Sequence, residues 1–596
     1  MNKRISDIIA EYLADKGIND IFCLVGGGAM FMNDAFGHEP RLNVTYTQHE
    51  QSCSMAAEGY VRASGKMAAV CVTTGPGGTN AITGVLGAFQ DNYPMLVLSG
   101  QVRYPTCADS TGLPLRFMGE QEHNIVDTVK PLTKYAVMVK QPEDILYEIE
   151  KAVYIAENGR KGPVWVDVPM DIQSKETDTE LLRHFEIPEE KKTWDKEAFL
   201  TELKQAKRPV ILCGSALRST GYTDKFRRLA AKLGIPVLAA TYNADLFANG
   251  DEAYYGNFGI IGGRAGNFLM QNADLVIGMG CRMTFRQIGF NYEQFSPDSR
   301  RVVIDADEYE LKKPTLRIDL PICTDIRNVI DDLMEQNDFE LGMEQGWKAY
   351  ADMLHERFPI YQEKFDNAPE GQVNPYYFAK QLKRYMSDDS VIVLGNSTIA
   401  AHILQMGIEK PAQRIINNMN CGSMGYDLPA AVGASVAHGE VTLITGDGSI
   451  MLNIQELMTI KHYKLPIKVF ISCNGGYRGI VRSQSNMFGG RYTGCTEDTG
   501  VEMPDFAKVA AAFDLPYIKI NGHSDLDEKL DQIYEMNGAV VVEWPQDPDQ
   551  VIEPRVMNRK DENGNIVSSG IDDMAPFLDK NEYERMSYAA FCKEHI

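Results

Sequence analysis

A Gly-Asp-Gly triplet, and an asparagine that follows it at a set distance, carry the clearest chemistry in this sequence. The triplet is Gly446-Asp447-Gly448, and Asn474 lies twenty-seven residues beyond its aspartate. One carboxylate, one amide oxygen and the backbone carbonyl of Gly476 are the oxygen ligands that Mg²⁺ prefers, and diphosphate oxygens and a water would complete its octahedral shell. The spacing therefore predicts a site for a magnesium-bound diphosphate.

Two predicted strands bring these ligands to one place. The apolar runs 441–445 and 467–472 are typical of buried parallel strands, and Asp447 and Asn474 follow their carboxyl ends, where α/β sheets bind ligands. An isolated triplet is more often an ordinary turn, but the asparagine at this distance favours the ligand site. We expect a helix next, with the amide of Ser449 facing the phosphates, because three apolar residues have helical spacing: Ile450, Ile454 and Leu457.

Length and composition indicate a multidomain globular protein. The chain has 596 residues, of which 44% are hydrophobic and 24% charged, and one core rarely extends over so long a chain. Its net charge is −23, and no polybasic run offsets it. Nucleic acid and anionic membranes are therefore excluded as expected partners.

The cysteines and the N-terminal sequence favour a reducing compartment. Eleven cysteines are scattered without a C-x-x-C pair, so neither a disulfide framework nor a zinc site is indicated. The first residues enter an amphipathic helix without the apolar core of a signal peptide, and no apolar stretch reaches 18 residues. We expect a cytoplasmic protein.

Three segments alternate short apolar strands with helical patterns, which is typical of parallel α/β sheets. We predict an α/β fold with three doubly wound parallel-sheet domains at residues 1–180, 195–335 and 370–546, followed by an irregular C-terminal tail, 547–596. The predicted strands are residues 21–25, 44–47, 68–74, 95–99, 164–168, 209–214, 236–240, 274–280, 301–305, 391–395, 441–445 and 467–472.

Two polar stretches lie outside these domains. Residues 174–196 are rich in Glu and Lys and are interpreted as a linker, while 559–565 make the tail polar. A solvated tail and a flap over the active site both remain open. Similar folds in the first and third domains are indicated by pattern alone, since no residue-level repeat is visible.

Glu50 follows the predicted strand 44–47 and begins a helical run. Acidic residues are favoured in the first turn of any helix by the dipole, and a lone Glu there needs no other explanation. The Gly-Asp-Gly triplet with Asn474 looks like a site for thiamine diphosphate, and beside such a site the same residue has a chemical use. A partly desolvated carboxylate bonded to the aminopyrimidine N1′ lets the cofactor deprotonate its own thiazolium carbon.

Over nearly its whole length the chain resembles the acetohydroxyacid synthase and pyruvate oxidase group of thiamine-diphosphate enzymes. The matching motifs are His49-Glu50-Gln51, Thr74-Gly-Pro-Gly-Gly-Thr-Asn80, Gly162-Pro-Val-Trp-Val-Asp-Val-Pro169, Gly422-Ser-Met-Gly425 and the segment that begins with Gly446-Asp447-Gly448. Cys473 departs from the pattern, because it replaces the first of two consecutive asparagines.

The resemblance implies roles for several residues. Glu50 corresponds to the carboxylate that activates the cofactor, and Met424, in the loop of Gly422, to the residue that holds the cofactor bent. Asp447, Asn474 and the Gly476 carbonyl correspond to the Mg²⁺ ligands, and the residues of the triplet and Ser449 to the diphosphate site. A second diphosphate loop corresponds to Gly395, Asn396 and Ser397, where the synthases have Gly-Gln-His.

Substrate contacts are implied in the same way. The turn with Gly27 and Gly28 matches the glycine loop beside the thiazolium, and Gln121 matches the family's active-site glutamine. Arg286 matches an arginine that meets the carboxylate of the second keto acid, a role suited to its planar fork. A surface or domain-interface cation is the alternative for Arg286.

The central segment matches the family's FAD domain, and the family assembles its sites from two subunits. The FAD match includes Arg282 and Arg286 in Gly280-Cys-Arg-Met-Thr-Phe-Arg286, so FAD is a further candidate cofactor, although such a domain can be purely structural. A homodimer is the implied minimum, and a homotetramer is common in the family.

Two departures bear on the reaction. The synthase lysine is Met170 here, and the tryptophan that favours 2-ketobutyrate has no equivalent in residues 478–484. The resemblance implies decarboxylation of a 2-keto acid, pyruvate first, and transfer of the two-carbon unit to a carbonyl acceptor. A nucleotide-linked ketosugar as acceptor, and simple decarboxylation, are the alternatives. A silent structural subunit is disfavoured because Glu50 and Asp447 are both present.

Overall fold

The computed structural model describes residues 2–188, 193–560 and 566–595. Three six-stranded parallel sheets, each covered by helices, organise the chain, and this confirms the predicted α/β class. Buried apolar strands such as Ala68–Val72 are typical of parallel sheets, whose two faces are both covered. Residues 189–192 of the predicted linker and 561–565 of the polar stretch 559–565 lie outside the described residues.

The first sheet has the spatial strand order 2-1-3-4-6-5, counted along the chain. Its strands are Asp20–Cys23, Asn43–Tyr46, Ala68–Val72, Met95–Gln101, Tyr135–Met138 and Pro163–Pro169. Its helices are Ile5–Asp15, Met30–His38, Glu50–Ser64, Pro76–Asp91, Ile125–Val129, Ile145–Glu157 and Met170–Gln173. A short antiparallel pair, Asn2–Arg4 with Glu176–Asp178, joins the two ends of this unit.

The third sheet repeats the order 2-1-3-4-6-5, so the likeness that the pattern suggested extends to the topology. Its strands are Val391–Leu394, Arg414–Ile416, Val441–Gly446, Ile467–Cys473, Tyr517–Lys519 and Val540–Pro545. Its helices are Pro375–Leu382, Thr398–Met406, Asp427–His438, Asp447–Ile450, Leu457–Tyr463, Arg478–Phe488, Phe506–Ala512 and His523–Glu535.

The helix expected after the Gly-Asp-Gly triplet is interrupted. One turn, Asp447–Ile450, is followed by a 3₁₀ turn, Ile454–Glu456, and only then by the helix Leu457–Tyr463. The prediction of a continuous helix from the apolar spacing was wrong. The break occurs at Asn453, whose backbone φ is −140° and whose side chain is buried.

The central sheet has a different order, 3-2-1-4-5-6, which is the Rossmann arrangement. Its strands are Pro209–Cys213, Val237–Ala240, Tyr254–Phe258, Leu275–Met279, Arg300–Asp305 and Leu320–Cys323. The helices of this unit are Lys196–Gln205, Ala216–Ser219, Thr223–Leu233, Arg264–Gln271, Phe285–Ile288, Glu308–Leu311, Ile326–Glu335 and Gln345–Arg357.

The helices Glu50–Ser64 and Asp427–His438 join the first and third units by close backbone contact. A Cβ atom on Gly433 would lie 1.7 Å from the carbonyl oxygen of Ala56, so no larger residue fits there. The mutual approach fixes the helix that begins with Glu50 against the third unit.

The C-terminal segment packs on the central unit and is not a solvated tail. Its elements are the antiparallel pairs Arg555–Val556 with Met574–Ala575 and Asn558–Lys560 with Ile566–Ser568, and the helices Lys580–Arg585 and Tyr588–His595. Tyr588 and Phe591 are buried in the same apolar cluster as Trp347 and Tyr350. Within the described ranges no helix combines the length and apolar character needed to span a membrane.

Candidate active site

The candidate diphosphate site lies where the strand order of the third sheet reverses. Val391–Leu394 and Val441–Gly446 are neighbours there, and the chain leaves them in opposite directions. Such switch points open a crevice at the carboxyl edge of a parallel sheet. The loop of Gly395, Asn396 and Ser397 and the turn that begins with Asp447 flank this crevice.

Asp447 is buried at the carboxyl end of its strand and is held by four backbone amides. Oδ2 accepts from the N–H groups of Asn474, Gly475 and Gly476 at 3.1, 3.0 and 3.0 Å, and Oδ1 accepts from Gly448 at 2.8 Å. Burial raises the pKa of the carboxyl, and the amide bonds oppose that rise. The spacing that suggested the site therefore corresponds to direct contact between the two loops.

Asn474 presents an unpaired oxygen to the same place. Its Oδ1 is buried and has no hydrogen-bond partner among the described residues, while its Nδ2 donates to Thr398 Oγ1 at 3.1 Å. The Gly476 carbonyl accepts from the Arg478 N–H at 2.9 Å and keeps one lone pair free. An orphaned buried oxygen beside a buried carboxylate is what a divalent cation would satisfy.

The donor set is of the Mg²⁺ type. In the described part of the chain no three His, Cys, Asp or Glu side chains cluster as metal ligands. One carboxylate, one amide oxygen and one carbonyl leave the remaining positions of an octahedral ion to phosphate oxygens and water, as is usual for Mg²⁺. The residues present fit the ion.

Thr398 and Gln546 orient the Asn474 amide, and sequence reasoning did not identify them. Gln546 Nε2 donates to Thr398 Oγ1 at 3.2 Å, and Ser472 Oγ donates to Gln546 Oε1. With its nitrogen engaged by Thr398, the Asn474 amide can turn only its oxygen toward Asp447. Neither residue lies in a motif, so the sequence offered no signal for them.

Asp427 joins three loops of the site and was also missed. Its carboxylate is fully buried and accepts from Ser449 Oγ at 2.6 Å and from Thr445 Oγ1 at 2.5 Å. A Cβ on Gly395 would lie 2.4 Å from Asp427 Oδ2. Ser449 Oγ in turn accepts from the Gly425 N–H at 3.2 Å. The loops of Gly395, Gly425 and Ser449 therefore meet at one carboxyl group.

The loop of Gly422 and Met424 is tied to the diphosphate loop. Asn396 Nδ2 donates to Asn418 Oδ1 at 2.7 Å and to the Ser423 carbonyl at 2.6 Å. Gly422 is exposed with φ +68°, and the Met424 side chain is half-buried. The structure thus gathers every residue predicted for the diphosphate and cation, from Gly395 to Gly476, at one edge of the third sheet.

Glu50 lies at the equivalent edge of the first sheet. It is half-buried at the first position of its helix, and Asn80 Nδ2 donates to its Oε2 at 3.0 Å. Its Oε1 accepts no hydrogen bond from the described residues. Gly27 is exposed, and Gly28 donates from its backbone to Thr73 Oγ1 at 3.0 Å across the strand switch.

Gln121 is exposed near this edge in a left-handed backbone conformation, with φ +62°. Thr74 Oγ1 lies 3.5 Å from its carbonyl and donates to Gln101 Oε1 at 2.6 Å. Gln101 is anchored by the fully buried Asp167, whose pKa burial raises to about 7. A non-glycine residue in this conformation is held by its surroundings, as at many functional sites.

We refer to the Glu50 group and the Asp447 group as two half-sites, because within the described part of the chain they make no direct hydrogen bond to each other. Among the described residues, no hydrogen bond links Glu50, Gly27, Gly28 or Gln121 to the residues around Asp447. Each half-site is open toward solvent at Gly27, Gln121 or Gly422.

Arg282 and Arg286 lie at the switch point of the central sheet, in a cavity that Arg62 of the Glu50 helix and Asn420, just before Gly422, also line. Gly214, Ser215 and Gly280 line the same cavity. A second cavity shares Ser215, Gly280 and Arg282 with the first. The Arg286 side chain is exposed, with its guanidinium 5.7 Å from the centre of the Tyr242 ring.

A buried charge cluster closes the first cavity where the three units meet. Arg62 donates to Glu58 Oε1 at 2.6 Å and to Asp91, while Asn420 also donates to Asp91. Glu58 Oε2 is buried and lacks a partner in the described structure, and burial raises the pKa of Glu58 to about 7. Nothing in the sequence pattern indicated this cluster.

Family comparisons match all three units. The N-terminal TPP binding domain of thiamine pyrophosphate enzymes matches residues 3–127, the central domain matches 197–333, and the C-terminal TPP binding domain matches 394–544. These ranges contain Glu50, Arg286 and the Asp447 edge respectively.

Curated relatives are similar over most of their length. The acetolactate synthase isozyme 3 large subunit of Escherichia coli is 29% identical over 97% of this chain and 99% of its own. The probable acetolactate synthase large subunit of Methanocaldococcus jannaschii is 30% identical, with 92% of each chain covered. The acetolactate synthase large subunit of Lactococcus lactis is 30% identical over 89% of this chain and 90% of its own.

Proposed function

The chain belongs to the thiamine pyrophosphate enzymes of the acetolactate synthase type, and from this premise we propose which of its residues do the chemistry. The enzyme uses thiamine diphosphate to decarboxylate pyruvate and joins the two-carbon unit to a carbonyl acceptor. One observation carries the assignment of the site: the orphaned Asn474 oxygen beside the four-amide cradle of Asp447, at the switch point of the matched domain.

We propose that Mg²⁺ binds Asp447, Asn474 and the Gly476 carbonyl. The ion would link the diphosphate to the chain, and the amide of Ser449 would add partial positive charge, since the Gly448 N–H already donates to Asp447. The loop of Gly395, Asn396 and Ser397 and the turn at Gly446 would enclose the diphosphate, while Gly422 and Met424 support the cofactor from the neighbouring loop. The Asp447 charge and the desolvated pocket favour a dication over a monovalent ion.

Glu50 is the proposed activating carboxylate. Thiamine diphosphate, when bound, supplies the electron sink for release of CO₂ from the keto acid and carries the remaining two-carbon unit. Glu50 would share a proton with the pyrimidine N1′ through Oε1, the oxygen that Asn80 leaves free. The half-buried position keeps the carboxylate poorly solvated, which strengthens that hydrogen bond.

Gln121, Gly27 and Gly28 are proposed to lie beside the reacting carbon. Gln121 would orient the carbonyl of the keto acid by hydrogen bonding, and the glycine turn leaves room beside the thiazolium. Arg286 is proposed to bind the carboxylate of the acceptor, since its guanidinium is exposed and free of an acidic partner within the described residues. The acetolactate synthase relatives favour a keto acid acceptor over a nucleotide-linked ketosugar and over simple decarboxylation.

FAD is proposed for the central unit. The 3-2-1-4-5-6 order places a crevice between Pro209–Cys213 and Leu275–Met279, where Rossmann sheets bind dinucleotides. Two cavities adjoin there and share Ser215, Gly280 and Arg282, so an elongated ligand with two parts fits better than a compact one. Arg282, which lines both cavities, would supply positive charge to its phosphates.

We propose a homodimer as the smallest active form, with a homotetramer as the expected assembly. The proposal rests on the family resemblance, and the lack of a direct hydrogen bond between Glu50 and Asp447 in one chain is consistent with a site completed by a second chain. We also propose domain boundaries at 1–180, 195–335 and 370–546, which enclose the three sheets and most of their helices. The described residues of 547–596 pack on the central part.

The function is tested by product analysis. Purified protein with thiamine diphosphate, Mg²⁺ and ¹³C-labelled pyruvate should release CO₂ and form labelled acetolactate, identified by mass spectrometry. Parallel reactions with 2-ketobutyrate and with a ketosugar nucleotide identify the acceptor. Absence of any carboligation product, with CO₂ and acetaldehyde formed, would establish a simple decarboxylase instead.

A further inference from the structure

Two side chains of the third unit hold the turn that carries Glu50. Glu456 and Asn453 lie nine and six residues beyond Asp447 in the same segment, yet both point toward the first unit. Glu456 is fully buried and Asn453 is 1% exposed. Within the described structure, neither side chain makes a hydrogen bond to the residues proposed to bind the cation.

Glu456 accepts hydrogen bonds from the turn just before Glu50. Its Oε1 and Oε2 accept from the Gln48 N–H at 3.1 and 3.3 Å, and Oε2 also accepts from Thr459 Oγ1 at 2.6 Å. Gln48 lies between the end of a strand and the start of the Glu50 helix, where its N–H has no partner within a helix or sheet. A carboxylate that accepts from an amide makes a stronger bond than a neutral acceptor.

Asn453 forms hydrogen bonds with the residues just after Glu50. Its Nδ2 donates to Gln51 Oε1 at 2.9 Å and to the Gly425 carbonyl at 2.7 Å. Its Oδ1 accepts from Ser52 Oγ at 3.4 Å and from Gln455 Nε2 at 3.0 Å. All four hydrogen-bonding positions of the amide are therefore used, which leaves it a single orientation.

We propose that Glu456 and Asn453 are positioning residues for the Glu50 carboxylate, fixing its turn from both sides. This rests on the proposed role of Glu50. A proton-sharing group must lie within hydrogen-bond reach of its target, and a misplacement of about 1 Å can cost on the order of 100-fold in rate. Glu50 itself has one side-chain hydrogen bond, from Asn80, so its place depends on the backbone that carries it.

The break in the predicted helix after the triplet places the Asn453 side chain against the Glu50 turn. A continuous helix from Asp447 to Tyr463 would carry the Asn453 side chain around the helix surface, whereas the non-helical backbone at Asn453 directs it between Gln51 and Gly425. Asn453 thereby also ties the Glu50 turn to the loop of Met424.

The test measures the rate at which enzyme-bound thiamine diphosphate exchanges its C2 proton for deuterium, by acid quench and NMR, at saturating cofactor and Mg²⁺. The variants are Glu456→Gln, which turns one acceptor oxygen into a donor, and Asn453→Asp, which removes both donors without changing size. We expect exchange to slow about 10-fold or more in each. Melting temperature and the cofactor Kd, by calorimetry, are measured alongside.

The pattern of effects separates positioning from general structure. Glu456→Gln should leave the Kd within a few-fold of wild type, whereas Asn453→Asp should also weaken binding because it loses the Gly425 contact. Thr442→Val is the matched control: it removes a buried hydroxyl, bonded to Tyr534, far from the Glu50 turn, and should not slow exchange. Wild-type exchange rates in both test variants would overturn the inference.

The variant Glu50→Gln distinguishes a failure of the positioning inference from a failure of the proposed role of Glu50. If Glu50→Gln exchanges at the wild-type rate, the proposed role of Glu50 fails and the positioning of its turn has no catalytic meaning. If Glu50→Gln slows exchange and the Glu456 and Asn453 variants do not, only the positioning inference is wrong.

Discussion

Asp447 is a buried carboxylate whose lost hydration is replaced by four backbone amides. Such charge-assisted bonds are worth about 1.5–3 kcal/mol each, and they shape the loop of Asn474 as well as hold the charge. The same group thus organises the loop and supplies the negative charge that a cation needs.

Replacing Asp447 with Asn should weaken cofactor binding severely. Only the oxygen of the amide can accept, so at least one of the four N–H donors faces an NH₂ group instead, and the charge that binds Mg²⁺ is lost. We expect the Kd for thiamine diphosphate with Mg²⁺ to rise roughly 100-fold or more, which is about 2.7 kcal/mol. Isothermal titration calorimetry measures it.

Asp514→Asn serves as the control, because its side chain is 82% exposed and, among the described residues, forms an ion pair only with Lys461 of the same unit. Its Kd should equal that of the wild type. A near-normal Kd in Asp447→Asn would show that the cation and diphosphate bind elsewhere.

Residues that follow a strand were accessible to sequence reasoning, and those that act through packing were not. Asp447 and Asn474 could be paired because parallel strands end at one edge, which converts spacing into proximity. Asp427, Thr398 and Gln546 act through contacts between loops distant in sequence, and no period or motif marks them. Their roles became visible only from the three-dimensional contacts.

At the scale of elements, the sequence predicted the inner strands better than the sheet edges. Five of the strands that were not predicted lie at edges: Tyr135–Met138, Tyr254–Phe258, Leu320–Cys323, Arg414–Ile416 and Tyr517–Lys519. Most are short and only partly buried, because an edge strand has one neighbour, so they lack the continuous apolar run that marks an inner strand.

The helix Arg478–Phe488 bears on acceptor choice. It lacks the tryptophan expected of the synthases, and Gln484 in that stretch bonds the Thr493 backbone through its Oε1 at 2.7 Å. Ile480 is 49% exposed on the same helix, and it is smaller than an aromatic residue. The acceptor pocket should therefore offer less apolar contact to a longer side chain.

We therefore expect no preference for 2-ketobutyrate over pyruvate as acceptor. An apolar pocket discriminates between substrates that differ by one methylene by about 1–3 kcal/mol. A pocket without the aromatic wall loses most of that discrimination. With equal concentrations of the two keto acids, the ratio of acetohydroxybutyrate to acetolactate should stay near or below one. A strong excess of acetohydroxybutyrate would contradict this account of the helix.

At the scale of the whole molecule, the three units meet at the Glu58, Arg62 and Asp91 cluster. Helix Glu50–Ser64 supplies Glu58 and Arg62, and the third unit adds Asn420 and the buried Tyr426. Arg62 also lies 4.2 Å from the centre of the Tyr93 ring. Charges buried at such a junction make the stability of the assembled fold depend on pH.

Glu58 should make the protein less stable as pH rises toward neutrality. Burial lifts its pKa from the usual 4.5 to about 7 in the folded state, so its stabilising contribution is complete below pH 4.5 and is lost as pH rises through about 7. In Glu58→Gln, the unfolding free energy should fall by up to about 3 kcal/mol less between pH 5 and 8 than in the wild type. The melting temperature should therefore decrease less over that range. Thermal denaturation across that range measures it.

Glu528→Gln, on the exposed face of helix His523–Glu535, is the control and should leave the pH profile unchanged. An unaltered slope in Glu58→Gln would mean that Arg62 keeps Glu58 ionised throughout the range, against the direction set by burial.

The proposed dimer leads to a test of how many chains build one active site. If Glu50 of one subunit faces Asp447 of another, a mixed dimer of Glu50→Gln and Asp447→Asn subunits has one site with both changes and one with neither. If each chain builds its own site, every site in that mixed dimer carries one change and is inactive. The two arrangements therefore differ in whether two inactive variants complement each other.

We expect complementation. Random assortment in a two-fold dimer makes half of the molecules mixed, so coexpressed variants should recover roughly a quarter of wild-type turnover. Two affinity tags isolate the mixed dimer, in which about half of the wild-type activity should appear. Each variant purified alone provides the baseline, and a doubly substituted chain coexpressed with wild type controls for subunit exchange, because its mixed dimers then have one change in each site. Activity no higher than the single variants in the isolated mixed dimer would place Glu50 and Asp447 of the same chain in one site, and the open half-sites would then need a movement within the chain to close them.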